Sequence, residues 1–535
     1  MARKSFPQKA LSFLFELLRR PQNQSSPQWK TSNGDHASKL LKYQKYSTSL
    51  VHRAEELANQ TVVFESEGAL LKSSSLFPYF MLVALEAGGP FRALVFFLLY
   101  PFVCLFGEEL GLKIMVFLCF FGIRKEGFRI GIAVLPKFFL EDVGREGFEV
   151  VMSCGRKVGV SNLPTVMVEG FLKDYLGVDD VVGRELKVVC GYFVGIMEAK
   201  KSDGTLLNQI LGEEKTCSGA IGIVSHRTVL DHHVFASCKE VYLVSEAEKR
   251  DWHILPRGKQ PKSLIFHDGR LAFRPTQLAI LAMIMWIPFG FVLFLIRFTA
   301  GRLLAHCMSS PIMAFTGTRT TVLMPKSPPT STKNENRSNG AVYVCNHRTL
   351  LDPLYVELAT NKSLSTVTYS LSKFHVAISP IKAIQLTRDR EKDRVAMEKL
   401  LSQGDLVVCS EGTTCREPYL LRFSPLFAEL TDNIIPVAID VQVTMFYGTT
   451  ASGFKCLDSA FHFMNPYPTY TLTILDKLPS SQTLKGGGVS KFEVANNVQH
   501  KIAEALGFKC TDLTRKDKYM ILAGNEGMVQ DRKRR

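Results

Sequence analysis

No cysteine in this chain stands in a C-x-x-C pair; the twelve are scattered from Cys104 to Cys510. That spacing excludes a paired-cysteine zinc site and a disulfide framework, and reads as reduced, mostly structural cysteine facing the cytosol. Solenoid repeats are missing. So are zinc-finger spacing, basic-zipper heptads and an aromatic RNA-binding signature. Acidic residues are scarce: 50 Asp and Glu against 65 Lys and Arg leave a formal net charge of +15. Such an excess selects anionic partners. With every nucleic-acid signature absent, the partners expected are lipid headgroups and phosphorylated substrates, and no nucleic acid. Residues 1–20 do not read as a secretory signal either. Residues 1–20 carry Leu11, Phe13, Leu14, Leu17 and Leu18 between Arg3, Lys4, Arg19 and Arg20. Three readings stay open there: a basic amphipathic helix on an anionic membrane, a mitochondrial targeting segment, or a helical tail.

What is present is apolar. Hydrophobic residues make up 46% and charged residues 21% of 535, enough for two or three packed domains. Residues 1–55 read as a basic segment and polar linker. Residues 56–255 form a first α/β region, with strands expected at 61–64, 157–160, 186–189 and 241–244. Inside it, 77–123 reads as an apolar helical hairpin, re-entrant or lying at a membrane interface. Its charge-free stretch 93–107 is short of the about 20 residues a span requires and is interrupted by Pro101. Residues 270–305 form a membrane-associated helical segment. The run 278–296 has no charge and is long enough to span, with Pro288 and Gly290 predicting a kink or a hairpin. A polar Pro/Ser/Asn-rich loop at 325–340 marks the clearest boundary. The region 306–535 contains a second α/β pattern: strands at 341–345, 406–409, 434–439 and 470–475, and an amphipathic helix at 391–403.

Chemistry concentrates where the strand 341–345 ends. Cys345-Asn346-His347-Arg348-Thr349-Leu350-Leu351-Asp352 places a histidine directly after a buried strand, where α/β sheets keep their working groups. In a continuous helix, five residues rotate two side chains about 140° apart. A turn at His347 followed by a helix carrying Asp352 brings them together, and the carboxylate then fixes the imidazole tautomer. Such a pair can deprotonate a hydroxyl without a nucleophilic serine. Arg388, in Leu386-Thr387-Arg388, suits bidentate phosphate recognition. Ser410-Glu411-Gly412-Thr413 offers a carboxylate for acceptor hydroxyls and a glycine for close backbone approach, and Arg416 and Arg422 add positive charge nearby. The strand 434–439 is read as lining an acyl site. His226 and Asp231 repeat the His-x-x-x-x-Asp spacing but have no such loop in the following hundred residues, and are read as coincidence.

Four blocks in this order, NHRTLLD, LTR, SEGT and IIPVAI, resemble the glycerolipid acyltransferase superfamily. The extended runs from Glu411 to Pro418 and from Leu421 to Ser424 resemble the land-plant glycerol-3-phosphate acyltransferases. The resemblance covers about 60–525 and implies two α/β domains, one haloacid-dehalogenase-like and one glycerolipid-acyltransferase-like, with membrane-embedded apolar helices. It implies His347 and Asp352 as the catalytic pair, and Arg388, Glu411, Gly412 and Thr413 as the glycerol-phosphate set. Acyl-CoA or another acyl thioester is the implied co-substrate, glycerol 3-phosphate the acceptor and the bilayer a partner. No cofactor and no metal are implied. The membrane is that of the endoplasmic reticulum, with the mitochondrial membrane also open. One departure is Ser410, where the family usually has proline. In the first domain, active phosphatases of the resembled type carry Asp-x-Asp-Gly-Thr, where this chain has Glu65-Ser66-Glu67-Gly68-Ala69. Asp231-His232-His233 stands where an acidic metal cluster is expected. Ser161 remains a phosphate-binding hydroxyl candidate. The resemblance therefore implies a phosphatase that has lost its reaction and a product, lysophosphatidic acid, that keeps its phosphate.

Overall fold

The structure is a computed structural model that describes residues 43–46, 57–198, 220–225, 235, 238–304, 306–325, 340–368, 381–387 and 389–527. The basic N-terminal segment, the His226 and Asp231 pair, His232, His233, Arg388 and the basic run 532–535 lie outside the described residues. The chain divides into two compact units, Met1–Leu264 with Arg274–Ile280, and Ile265–Phe273 with Leu281–Arg535. Each is an α/β domain.

The first unit is built on a six-stranded parallel sheet. Its strands are β1 (Tyr43–Lys45), β2 (Thr61–Glu65), β3 (Arg156–Pro164), β4 (Asp180–Arg184), β7 (Ile221–Ser225) and β8 (Glu240–Val244), in the order β1-β8-β7-β2-β3-β4. Two further strands, β5 (Leu186–Val189) and β6 (Tyr192–Met197), pair antiparallel as a hairpin outside that sheet. β2 and β7 are covered on both faces, which is why β2 reads as an unbroken apolar run rather than as alternation; β7 is not among the expected strands. The apolar zone expected as a hairpin is three helices, Phe77–Glu86, Pro90–Val103 and Glu108–Phe120. The first is buried; the second and third leave Phe91, Leu98, Leu110 and Phe117 exposed. Pro101 lies in the last turn of its helix and does not end it; its cost is the single ladder bond its missing N–H would have made to the Phe97 carbonyl.

The second unit has a seven-stranded sheet: β9 (Arg319–Leu323), β10 (Val342–Cys345), β11 (Leu364–Thr368), β12 (Lys382–Gln385), β13 (Asp405–Cys409), β15 (Ile434–Gln442) and β16 (Thr469–Ile474), ordered β12-β11-β13-β10-β15-β16-β9. All pairings are parallel except β15 with β16. Short β14 (Tyr419–Leu420) pairs with β17 (Lys509–Cys510). β10 lies centrally and is completely buried. One core beside the sheet gathers Leu400, Leu406, Phe427, Val498 and Ile502; another gathers Tyr343, Tyr355, Val437, Phe463 and Tyr470.

Among the described residues, one helix is long and apolar enough to cross a membrane: Gln277–Leu303. Of the expected kink or hairpin at Pro288 and Gly290, the hairpin does not form: one helix runs on through both. Contacts along one edge brace it. Trp286 Nε1 donates to the Met464 carbonyl at 2.8 Å. Arg297, fully buried, donates to the carbonyls of Phe463 and Asn465 at 2.6 Å each, to that of Pro466 at 3.2 Å, and to the Thr316 carbonyl. A guanidinium satisfied by four carbonyls is a rigid anchor, because its planar fork matches several acceptors at once. Arg297→Leu should lower the stability of the detergent-solubilised chain by about 3–5 kcal/mol, since each orphaned buried acceptor costs about 1–3 kcal/mol. Thermal unfolding checks this, with Arg297→Lys expected between the two.

Candidate active site

The site grows out of the register between two central strands. β10 and β13 pair with Cys345 opposite Cys409, so the chain leaves both strands side by side at the carboxyl edge of the sheet. Open α/β sheets bind ligands at such an edge. Asn346 clips the first exit to β15. Its buried side chain donates to the Ile439 carbonyl at 2.9 Å and accepts from the Ile439 amide at 2.8 Å, imitating one more residue of strand pairing.

Asp352 opens the helix Asp352–Thr360, with Pro353 next in its first turn. From that position its carboxylate gathers the preceding turn. It accepts from the Arg348 amide at 2.5 Å, the Thr349 amide at 2.9 Å, the Thr349 hydroxyl at 3.0 Å and the Tyr470 hydroxyl at 3.4 Å. His347 Nδ1 lies 3.0 Å from the same carboxylate. The turn thus cancels the divergence a continuous helix would impose. Burial works against a charged His347 ring, but the Cys409 sulfur and the Asp352 carboxylate outweigh it, and the imidazole pKa lies well above the ordinary 6.5. Cys409 stays a neutral thiol, its own pKa driven up by the hydrogen bond with Cys345 and then by burial. The lasting charge beside the ring is therefore Asp352. His347, Asp352 and Cys409 bring their ligand-type atoms within 4.8 Å of one another. The carboxylate already serves five donors, so the group is built as a hydrogen-bonded cluster and not as a cation cage.

Glu411 is buried, and its carboxylate joins two backbone segments. One oxygen accepts from the His347 amide at 2.8 Å and the other from the Leu421 amide at 3.1 Å. Burial raises its pKa to about 7 against the pull of those two N–H groups. Gly412 follows with φ +65°, and a Cβ there would touch nothing. Its backbone conformation, not space, calls for glycine. Thr413 is buried, and the buried Lys518 fixes it: Nζ donates to the Thr413 hydroxyl at 3.3 Å, the Thr414 hydroxyl at 3.1 Å and the Thr414 carbonyl at 2.5 Å. Arg416, expected to add positive charge, is buried against the Asp268 carboxylate at 3.6 Å and Thr449, so its charge is already offset. Arg422 is exposed. Arg388 lies outside the described residues.

His347, Ser410 and Gly412 line a cavity of about 120 Å³. The rest of its wall is mainly apolar and includes Leu350, Ile381, Leu386, Met397, Val408 and Phe427. β15, the strand expected to line an acyl site, contributes no residue to this wall. It packs against β10 and clips Asn346 instead.

Residues 61–244 match the family model described as "Glycerol-3-phosphate acyltransferase RAM2-like, HAD-like domain", and residues 329–440 match the model described as "Acyltransferase". The Arabidopsis thaliana protein named "Probable glycerol-3-phosphate acyltransferase 3" is 54% identical over 91% of this chain and 94% of its own length. The chain belongs to the plant glycerol-3-phosphate acyltransferase family. Two further members are "Glycerol-3-phosphate acyltransferase 1" of Arabidopsis thaliana, 46% identical over 88% of this chain and 82% of its own length, and "Glycerol-3-phosphate acyltransferase RAM2" of Petunia hybrida, 42% identical over 86% and 97%.

In the family's HAD-like domain this chain carries Glu65 at the end of β2 and Glu67 in the helical turn Ser66–Leu70. Glu65 accepts from the Ser225 amide at 2.9 Å. Glu67 accepts from the Ser161 hydroxyl at 2.5 Å and the Leu163 amide at 3.2 Å. Buried Lys249 donates to the Glu67 carbonyl at 2.9 Å. A Cβ on Gly68 would lie 2.3 Å from the Glu65 carboxylate, so only glycine lets that side chain fold back this far.

Sequence reasoning missed Asn346, Thr349, Tyr470 and Lys518. The first two stand inside the NHRTLLD block, which was a signal; the last two lie far along the chain and gave none. Glu411→Ala should leave the His347 and Leu421 amides without acceptors, at about 1–3 kcal/mol each. A lower melting temperature, with Glu411→Gln intermediate because an amide keeps one acceptor oxygen, checks this.

Proposed function

We propose that the chain transfers an acyl group from acyl-CoA to a hydroxyl of glycerol 3-phosphate, giving lysophosphatidic acid. The observation that carries this is His347, held by Asp352 at the wall of an apolar cavity, in a member of this family. Asp352 holds Nδ1, which leaves Nε2 to take the proton as the acceptor oxygen attacks the thioester carbonyl; the C–S bond then breaks, and the proton passes from Nε2 to the departing CoA thiolate. The imidazolium so formed is stabilised by the adjacent carboxylate, as a buried aspartate does for other histidine bases. The apolar cavity takes the start of the acyl chain. The set Arg388, Glu411, Gly412 and Thr413 holds the glycerol phosphate end. Within that set Glu411 fixes the position of the loop, since both its oxygens already bind backbone.

The first domain is proposed to be catalytically silent as a phosphatase. A phosphate would need the Ser161 hydroxyl and the neighbouring amides, and the Glu67 carboxylate already takes the Ser161 hydroxyl and the Leu163 amide. Each glutamate is one methylene longer than an aspartate, and a misplacement of about 1 Å can cost roughly a hundredfold in rate. Both ends of the chemistry meet lipid. The exposed faces of the helices Pro90–Val103 and Glu108–Phe120, and Met285, Phe289, Phe291 and Val292 on Gln277–Leu303, are proposed to sit in a membrane, that of the endoplasmic reticulum, with the +15 charge favouring its anionic headgroups.

Purified chain given acyl-CoA and glycerol 3-phosphate should yield a product that retains phosphate, with no inorganic phosphate released; free phosphate in step with acyl transfer would sink the silent-domain reading. His347→Ala should lower kcat/KM by about 10²–10⁴-fold. A base must be neutral to act, so activity should fall as pH drops through the raised His347 pKa. The acid limb of kcat/KM should therefore lie above the usual histidine range, and Asp352→Asn should move it to lower pH. An unmoved limb in that variant would remove Asp352 from its assigned role.

A further inference from the structure

The cavity beside His347 has a neighbour. Gly412, Ser424 and Leu426 line that cavity, and they also line a second one of about 410 Å³. The glycine of the substrate loop is thus a wall common to both. The first cavity is apolar. The second is walled by two arginines, Arg390 and Arg515. Each begins a helix, Arg390–Leu401 and Arg515–Ala523. Arg390 is paired with Glu429 and largely exposed. Arg515 rests on the Tyr519 ring, 4.9 Å from its centroid, and donates to the Gly527 carbonyl. Asp393 is the carboxylate on this wall, and it is taken up by the amide and hydroxyl of Thr387 at 2.7 and 3.0 Å. Arg515 is also fixed relative to the substrate loop. One turn on in the same helix, Lys518 grips Thr413 and Thr414. Arg515 and Lys518 both lie beyond residue 440, where the match to the acyltransferase model ends.

We propose that Arg515 and Arg390 clamp a phosphate monoester in this second cavity, belonging to a substrate whose reacting end passes Gly412 to His347. The proposal rests on the acyltransferase reading above. Two arginines on the wall of one cavity match a phosphate dianion, which accepts paired N–H bonds from a guanidinium fork once that fork turns from its present partner. The phosphate monoesters carried by the two substrates are that of glycerol 3-phosphate and the ribose 3′-phosphate of CoA, and kinetics separates them.

Full-length wild type, Arg515→Gln, Arg390→Gln, the double variant and Arg515→Lys are compared in detergent micelles. Each is assayed with glycerol 3-phosphate varied, with acyl-CoA varied, and with acyl-dephospho-CoA, which lacks the 3′-phosphate. The double variant should raise one KM about tenfold or more while kcat stays within about threefold, with Arg515→Lys intermediate. A rise confined to glycerol 3-phosphate assigns the acceptor. A rise for acyl-CoA that vanishes with acyl-dephospho-CoA assigns the donor. Unchanged KM values for both substrates overturn the clamp. Calorimetric binding of glycerol 3-phosphate and of adenosine 3′,5′-bisphosphate reads the clamp without turnover: weaker binding by the double variant supports it, and equal binding overturns it. Wild type that binds but does not transfer would sink the acyltransferase reading and leave the clamp standing. Arg390→Gln, an exposed change, keeps the test valid if Arg515→Gln fails to fold.

Discussion

Everything at the edge of the second sheet depends on one buried carboxylate. Asp352 is completely shielded from water, and a bare charge there would cost many kcal/mol. It is tolerable because the turn before it bends back to supply donors, and because it heads a helix whose free amides favour a negative charge. The need runs both ways. The turn from His347 to Leu351 has no ladder of its own, and the carboxylate stands in for one. Solvation of Asp352, conformation of the turn and orientation of the imidazole are a single arrangement that cannot be had in part.

Much of this could be read from the chain, and what escaped has a physical reason. β10, β13 and β15 are central and buried, so their apolar runs were legible, as were β2 and β8. β11 and β12, half-buried with Thr, Ser, Lys and Gln, carried no clear period. His347 and Asp352 were found because the spacing made sense only with a turn. The backbone partners of Glu411 were not legible: a carboxylate in a motif suggests a ligand, and nothing in a sequence marks the amides it will bind. Arg416 misled for the opposite reason, since its counter-ion Asp268 stands 148 positions earlier. Pro288 predicted a break because local rules weigh a missing hydrogen bond, and they cannot see the carbonyls that hold Arg297 nine residues on.

The two units show opposite uses of one design. In each, a parallel strand ends in a turn carrying acidic side chains. In the second unit the acid turns back to organise a basic ring, and the ring remains at a cavity wall. In the first, Glu65 and Glu67 reach the donors around them and satisfy them. The Ser161 hydroxyl and the Leu163 and Ser225 amides are thereby met from within the chain. The same fact makes the turn a well-stabilised piece of scaffold, which is a sufficient account of why its glycine and its buried lysine fit so closely.

Lys518 has a consequence in time. The loop at Thr413 and Thr414 leaves the ribosome about a hundred residues before the lysine that holds it. Until the helix Arg515–Ala523 has been made and has folded back, those two hydroxyls and a carbonyl lack their common donor. The sheet, the turn at His347 and the apolar helices can all form earlier. The loop at Thr413 and Thr414 is therefore set late, and the order of synthesis delays the finished site until the scaffold around it has folded.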